Sequence, residues 1–98
     1  MTTLNIQQRK YLKGLAHHLK PVVTIGANGL SAAVVEEIEQ SITHHELMKI
    51  KLPAGDKTER EALLNQACES VGAFPVTLIG RTGVMFRAAK KSRFELPR

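Results

Sequence analysis

The chain has 98 residues, 43% of them hydrophobic, and 14 lysines and arginines against 9 acidic residues give a formal net charge of +5. A chain of this length can bury one modest core and no more, no apolar run is long enough to span a bilayer, and the opening residues lack the cationic-then-apolar order of a secretory signal. Cys68 is the single cysteine, which excludes an internal disulfide and fits a reducing, cytoplasmic setting.

Asn5 followed by Gln8 opens the first predicted helix as a capping box. Leu12, Leu15, Ala16 and Leu19 follow at helical spacing and predict one buried stripe, with Arg9, Lys10, Lys13, His17 and Lys20 forming a basic ridge elsewhere on the helix. Gly14 costs about 1 kcal/mol in a helix interior, which suggests close packing against another backbone. Pro21 ends the helix by pushing Lys20 out of the α region. The pattern leaves open whether this helix covers the sheet or lies beside it.

Val22 to Ile25 reads as a short buried strand stopped by Gly26. The turn Gly26-Ala27-Asn28-Gly29 then delivers the chain into a helix that Ser31 can cap. Two glycines three apart let the backbone reach φ > 0 and let a ligand approach without meeting a Cβ. The helix start behind them presents free N–H groups and the positive end of the peptide dipoles. On a basic domain the ligand suited to that arrangement is a nucleic-acid phosphate; the plain alternative is a strand-to-helix turn with no ligand.

The second helix runs from about Ala32 to His44, with Val34, Val35, Ile38 and Ile42 buried and Glu36, Glu37 and Glu39 in water. From Leu47 to Leu52 the residues alternate: Met48, Ile50 and Leu52 point one way, Lys49 and Lys51 the other, giving a strand with one wet face. Pro53-Ala54-Gly55-Asp56 breaks it, and a third helix starts at one of two overlapping caps, Asp56-x-x-Glu59 or Thr58-x-x-Glu61. Its stripe is Leu63, Leu64, Ala67, Cys68 and Val71, with Gly72 as a left-handed C-cap. Cys68 reads as a small core residue. Strands at Val76–Ile79 and Val84–Arg87 are joined by Gly80-Arg81-Thr82-Gly83, a tight hairpin with Arg81 at its tip. Ala88 to Arg98 is basic and aperiodic, an extended tail pinned by Phe94 and Leu96.

The expected fold is therefore a single α/β domain over residues 1–98, in the order α-β-α-β-α-β-β, with three helices and a four-stranded mixed sheet. Two strand-helix-strand crossovers imply a parallel core of three strands with the fourth antiparallel.

Enzyme motifs are lacking: there is no phosphate-binding Gly-x-x-x-x-Gly-Lys, no Gly-x-Gly-x-x-Gly, no Cys-x-x-Cys and no nucleophile-base pair. The histidines form adjacent pairs, His17-His18 and His44-His45, which diverge on a helix and cannot share a metal. No catalytic residue, cofactor or metal is expected. Residues 1–31 carry Arg9, Lys10, Lys13 and Lys20 without a carboxylate, residues 81–98 are also strongly basic, and residues 32–80 are acidic. If the two ends meet, one side of the domain is positive and steers polyanions. With only Tyr11, Phe74, Phe86 and Phe94 as aromatics, base stacking on the sheet is hard to build. Basic side chains and a glycine turn fit the backbone and shape of folded RNA.

Leu12-x-x-Leu-Ala-His-His-Leu-Lys-Pro-Val-Val, then Ile25-Gly-x-Asn-Gly-Leu-Ser, His44-His-Glu-Leu-x-Lys-Ile-Lys, and Ile79-Gly-Arg-Thr leading to Phe86-Arg resemble the CRM domain (chloroplast RNA splicing and ribosome maturation). The likeness is closer to its bacterial single-domain YhbY-like members. It implies an RNA-binding module similar in fold to the C-terminal domain of bacterial translation initiation factor three. It also implies association with precursors of the large ribosomal subunit and RNA contact at Gly26, Ala27, Asn28 and Gly29. The sequence departs from the family in carrying no basic residue between these glycines, and in placing Gly83 where a bulkier residue is common, which predicts a looser hairpin.

Together these readings make the expected partner RNA, the large-subunit ribosomal RNA precursor within a pre-ribosomal particle, bound by a cytoplasmic monomer with no membrane contact. Gly26 to Gly29 seat a phosphate; Arg9, Lys10, Lys13, Lys20, Arg81 and Arg87 track its neighbours, with Lys49 and Lys51 on the wet face of the sheet. The alternatives are a general RNA chaperone, an adaptor using the acidic face of the second helix and, last, a small phosphate-ester enzyme.

Overall fold

The computed structural model describes residues 4–97, so Arg98, the last residue of the basic tail, lies outside it. The elements are α1 (Ile6–Ala16), β1 (Pro21–Thr24), α2 (Ala32–His45), β2 (Leu47–Lys51), α3 (Lys57–Val71), β3 (Phe74–Ile79) and β4 (Thr82–Phe86). Local chemistry sets the helix ends. Asn5 accepts from the backbone of Gln8 while Gln8 reaches back to Asn5, the expected capping box. Of the two possible starts for α3, the chain uses Asp56 with Glu59, and Gly72 closes that helix at φ 66°.

The sheet order is β1-β2-β4-β3. β1 and β2 are parallel, and β4 runs antiparallel to both of its neighbours. Three strands thus share a direction, as expected, but they do not form a continuous parallel core, because β4 folds back between β2 and β3. Gly80 at φ 58° makes a turn of only two residues between β3 and β4, which fixes their antiparallel pairing, and β2 pairs with β4, so β3 becomes the edge strand. Gly83 does not loosen this hairpin. It lies inside β4, where an added Cβ would stand 2.7 Å from Leu64 Cδ1, so its lack of a side chain is what lets α3 approach the sheet.

The two faces of the sheet are covered unequally. α2 and α3 pack one face, where Val23, Ile25, Ile38, Ile42, Met48, Ile50, Leu52, Leu64, Ala67, Cys68, Val71 and Met85 form the larger cluster. Burial pushes the Cys68 thiol up to about 12, so it behaves as an apolar residue. On the other face α1 lies alone with the C-terminal tail over Leu47, Val76, Val84 and Phe86. Only Leu12 and Ala16 of the predicted α1 stripe are buried; Leu15 and Leu19 remain 41% and 39% exposed, because a lone helix on a sheet buries a narrower face than one packed between layers. Gly14 meets nothing, contrary to the close packing expected of it.

The tail compensates for the thin attachment of α1. Phe94 packs edge-on against Phe86, Leu96 joins the same cluster, and Gln8 Nε2 donates to the Pro97 carbonyl at 3.0 Å. Its anchor is Glu46, the one residue between α2 and β2, which sits at φ 64°, ψ −49° with a side chain only 3% exposed. Its carboxylate accepts from the Ala89 and Arg93 backbone N–H groups, the Ser92 hydroxyl and Arg93 Nε. Burial alone would raise its pKa, but these donors outweigh it and hold the carboxyl down at about 2. Arg93 also donates to the His44 and His45 carbonyls at the end of α2.

A group whose pKa is lowered by folding contributes stability above its unfolded value, and that contribution is lost as pH falls through the folded value. Stability should therefore drop from about pH 4.5 toward 2, with Glu39 sharing the same window. Glu46→Gln should flatten the part of that slope due to Glu46. Glu46→Ala should cost about 2 kcal/mol or more and speed tryptic cleavage at Lys90, Lys91 and Arg93. Denaturant melts at several pH values and limited proteolysis check both; an unchanged tail would contradict the anchoring role.

Candidate nucleic-acid interface

Charge is segregated across the sheet. The carboxylates Glu36, Glu37, Glu39, Asp56, Glu59, Glu61 and Glu69 belong to α2, α3 and the α3 cap, on one face. Arg9, Lys10 and Lys13 lie on α1, which covers the other face and carries no acidic residue. Lys49 and Lys51 point to that same side, since Met48 and Ile50 between them enter the opposite core. Lys49 Nζ lies 3.5 Å from the His17 carbonyl, where a cation suits the carbonyl end of α1.

α1 divides its own flanks as well. With Leu12 and Ala16 on the sheet, Arg9 borders a groove that runs along the edge strand β3 and is also lined by Glu61 of α3, and Leu15 borders one with Phe94 and His45. Helix geometry sets Lys13 on the Arg9 flank.

The turn itself is open. Gly29 N–H donates to the Gly26 carbonyl at 3.0 Å, Gly29 adopts φ 73°, and Ser31 then caps α2 by accepting from Val34 N–H. Gly26, Ala27 and Asn28 are exposed, and a Cβ added at Gly26 or Gly29 would meet nothing within 4 Å. Only Gly29 needs to be glycine for its backbone; Gly26 has no positive φ and leaves the outer surface bare. The first turn of α2 holds no acidic residue. Ladder bonds tie this end together. Ile25 N–H donates to the Lys51 carbonyl, Leu52 N–H to the Arg81 carbonyl, and Arg81 Nε back to the Leu52 carbonyl at 3.1 Å.

Sequence reasoning missed Arg60, which bridges the Gly55 and Gly80 carbonyls and so braces the hairpin against α3. No pattern announces such a residue, because its partners are carbonyls 5 and 20 positions away.

Two expected contacts fall elsewhere. Arg87 follows β4 at the far end of the sheet, where its guanidinium binds both Glu39 oxygens at 2.7 and 2.9 Å, Thr43 Oγ1 and the Val71 carbonyl. That pair draws the Glu39 carboxyl down to about 2 and raises Arg87. Arg87 is a brace between β4 and α2, not a free cation beside the loop. The basic tail is held at that far end by Glu46 and runs against α1, so the two cationic termini meet at α1 and not beside the turn. Lys20 precedes β1, one short strand away from the turn, and is followed by Pro21, which pairs with Lys49. Arg9, Lys10, Lys13, Lys51, Arg81 and the turn remain on the basic side or at its end. No helix among the described residues is long and apolar enough to cross a membrane, and no three metal-ligating side chains gather among them.

Known proteins share this chain and this fold. An RNA-binding protein of Haemophilus influenzae is 42% identical over the full chain and 99% of its own length. A probable RNA-binding protein of Pseudomonas aeruginosa is 36% identical over 90% of this chain and 85% of its own. The solution structure of a hypothetical protein from Staphylococcus aureus superposes with a TM-score of 0.87 at 27% identity, covering 97% of this chain and all of that one. The CRS1 / YhbY (CRM) domain model matches residues 4–87, which takes in every element from the Asn5 cap to β4, and the chain belongs to that family.

Proposed function

We propose that this protein is a non-catalytic RNA-binding module of the cytoplasm that assists maturation of the large ribosomal subunit. It acts as a monomer on structured ribosomal RNA precursor, reading backbone and shape more than base identity. The observation that carries the reading is the segregation of charge: most carboxylates lie on α2, α3 and the α3 cap, α1 itself carries none, and the turn between β1 and α2 is open main chain. The relatives named as RNA-binding proteins support the same partner.

The roles follow from position. Gly26 to Gly29 and the start of α2 seat one phosphate on backbone N–H groups. Lys13, Lys51 and Arg81 hold its neighbours, Arg9, Lys10, Lys20 and Lys49 extend the field, and Arg87 is left out. With about five phosphates neutralised, log K should fall with log[salt] at a slope near −4. Replacing Lys13, Lys51 and Arg81 together by glutamate should abolish binding to a ribosomal RNA stem-loop and to subunit precursors in gradient fractions of a lysate, while the melting curve stays cooperative. Unchanged affinity at low salt would refute this surface. Binding to all RNAs without enrichment in large-subunit precursors would favour the general chaperone.

The turn has its own test. Gly26→Val fills empty space at an ordinary φ, so it should leave stability intact and weaken RNA binding by about tenfold, equivalent to ~1.4 kcal/mol. Gly29→Val should in addition destabilise by ~1–2 kcal/mol, because its φ of 73° disfavours a branched side chain. Full affinity in Gly26→Val would make the turn purely structural.

A further inference from the structure

The register of the sheet places four residues in one row across all four strands: Thr24 opposite Lys51, Lys51 opposite Thr82, and Thr82 opposite Ile79. All four project to the α1 side. Their neighbours Val23, Ile50 and Leu78 belong to the α2–α3 core, and Gly83 faces Leu64. α1 stops short of this row, its Leu12 and Ala16 lying over Leu47, Val76, Val84 and Phe86 further along the strands. Thr24, Lys51 and Ile79 are exposed and Thr82 is half-buried. Among the described residues, neither threonine hydroxyl is taken up by a protein partner, whereas those of Thr43 and Ser92 are.

The row is continuous with the rest of the surface. Thr24 leads through Ile25 into the Gly26–Gly29 turn, and Thr82 follows Arg81. Its chemistry is selective. One ammonium group flanked by two hydroxyls suits a polyanion that also offers hydroxyls. The two threonines stand two strand spacings apart, ~10 Å, on a flat surface. Such a surface cannot enter a deep groove, but it can lie on a wide, shallow one. The A-form minor groove is wide and shallow and is lined with ribose 2′-hydroxyls. The row itself holds no aromatic ring for base stacking, since Phe74, Phe86 and Phe94 are engaged in the cluster beneath α1 and Tyr11 lies on α1.

We infer that Thr24 and Thr82 are specificity residues that exchange hydrogen bonds with ribose 2′-hydroxyls on either side of a phosphate held by Lys51. The row thereby selects RNA over other polyanions. This rests on the RNA-binding reading above and adds to it the reason that RNA, not DNA, is the partner.

The test compares one short stem-loop in two forms, all-ribose and fully 2′-fluoro, which keeps the A-form and every phosphate but removes the hydroxyls. Binding is measured at low salt. The wild-type protein should bind the ribose form at least about tenfold more tightly. Thr24→Val with Thr82→Val, a shape-preserving change suited to strands, should lose most of that preference while keeping its affinity for the fluoro form within about twofold. Lys51→Gln should weaken both forms alike and shallow the salt slope by about 1. Tight RNA binding with no preference in the wild type, or equal loss on both forms in the double valine variant, overturns the inference and leaves the RNA-binding reading standing. No binding to either form overturns both.

Discussion

One buried carboxylate holds the molecule's less-covered face together. Glu46 is the whole connection between α2 and β2, and it adopts a backbone geometry that costs a non-glycine residue on the order of 1–3 kcal/mol. Four hydrogen bonds from Ala89, Ser92 and Arg93 offset that cost and fix the tail. From there the constraint passes outward: Phe94 onto Phe86, Leu96 into the same cluster, and the Pro97 carbonyl onto Gln8, a member of the α1 capping box. A helix that buries only two of its own side chains on the sheet is thereby held in one place.

That placement decides what the surface can do. α1 covers the half of the sheet near Glu46 and leaves the other half bare, next to the turn between β1 and α2. The cations of α1, β2 and the hairpin then share a side or an end, and the carboxylates of α2 and α3 are kept behind the sheet. The tail is basic too, yet part of its charge is spent holding it down, Arg93 on Glu46 and the α2 carbonyls and Arg87, just before it, on Glu39, while Lys90 and Lys91 are exposed. Cations alone therefore do not mark the interface. Freedom from an internal carboxylate, together with a place on the α1 side or beside the turn, does.

Much of this was legible in the residues, and the failures share one cause. Capping boxes at Asn5 and Asp56, the left-handed Gly72, the alternation from Met48 to Leu52 and the stripe from Leu64 to Val71 are local, and each formed as its pattern implied. What the pattern could not carry was the pairing of distant pieces. β4 between β2 and β3, the exposure of Leu15 and Leu19, the capture of Arg87 by Glu39 and the engagement of Glu46 all join residues far apart in the chain. Glu46 in particular looked like one more acidic residue of the middle segment. Gly83 shows the same limit at short range, since its meaning depends on Leu64 and not on its neighbours. For the turn, the two glycines permitted a positive φ, and only Gly29 adopts it.

The central claim is that RNA meets the α1 side of the sheet and its adjoining turn, and never the acidic layer. Backbone amide NMR during titration with a ribosomal RNA stem-loop tests it directly, because every element reports at once. The account predicts large, salt-sensitive shifts at Gly26, Asn28, Gly29, Lys51, Arg81, Thr82 and Lys13, with Glu36, Glu37 and Glu69 unmoved. Shifts concentrated on the outer faces of α2 and α3, with the turn silent, would contradict it.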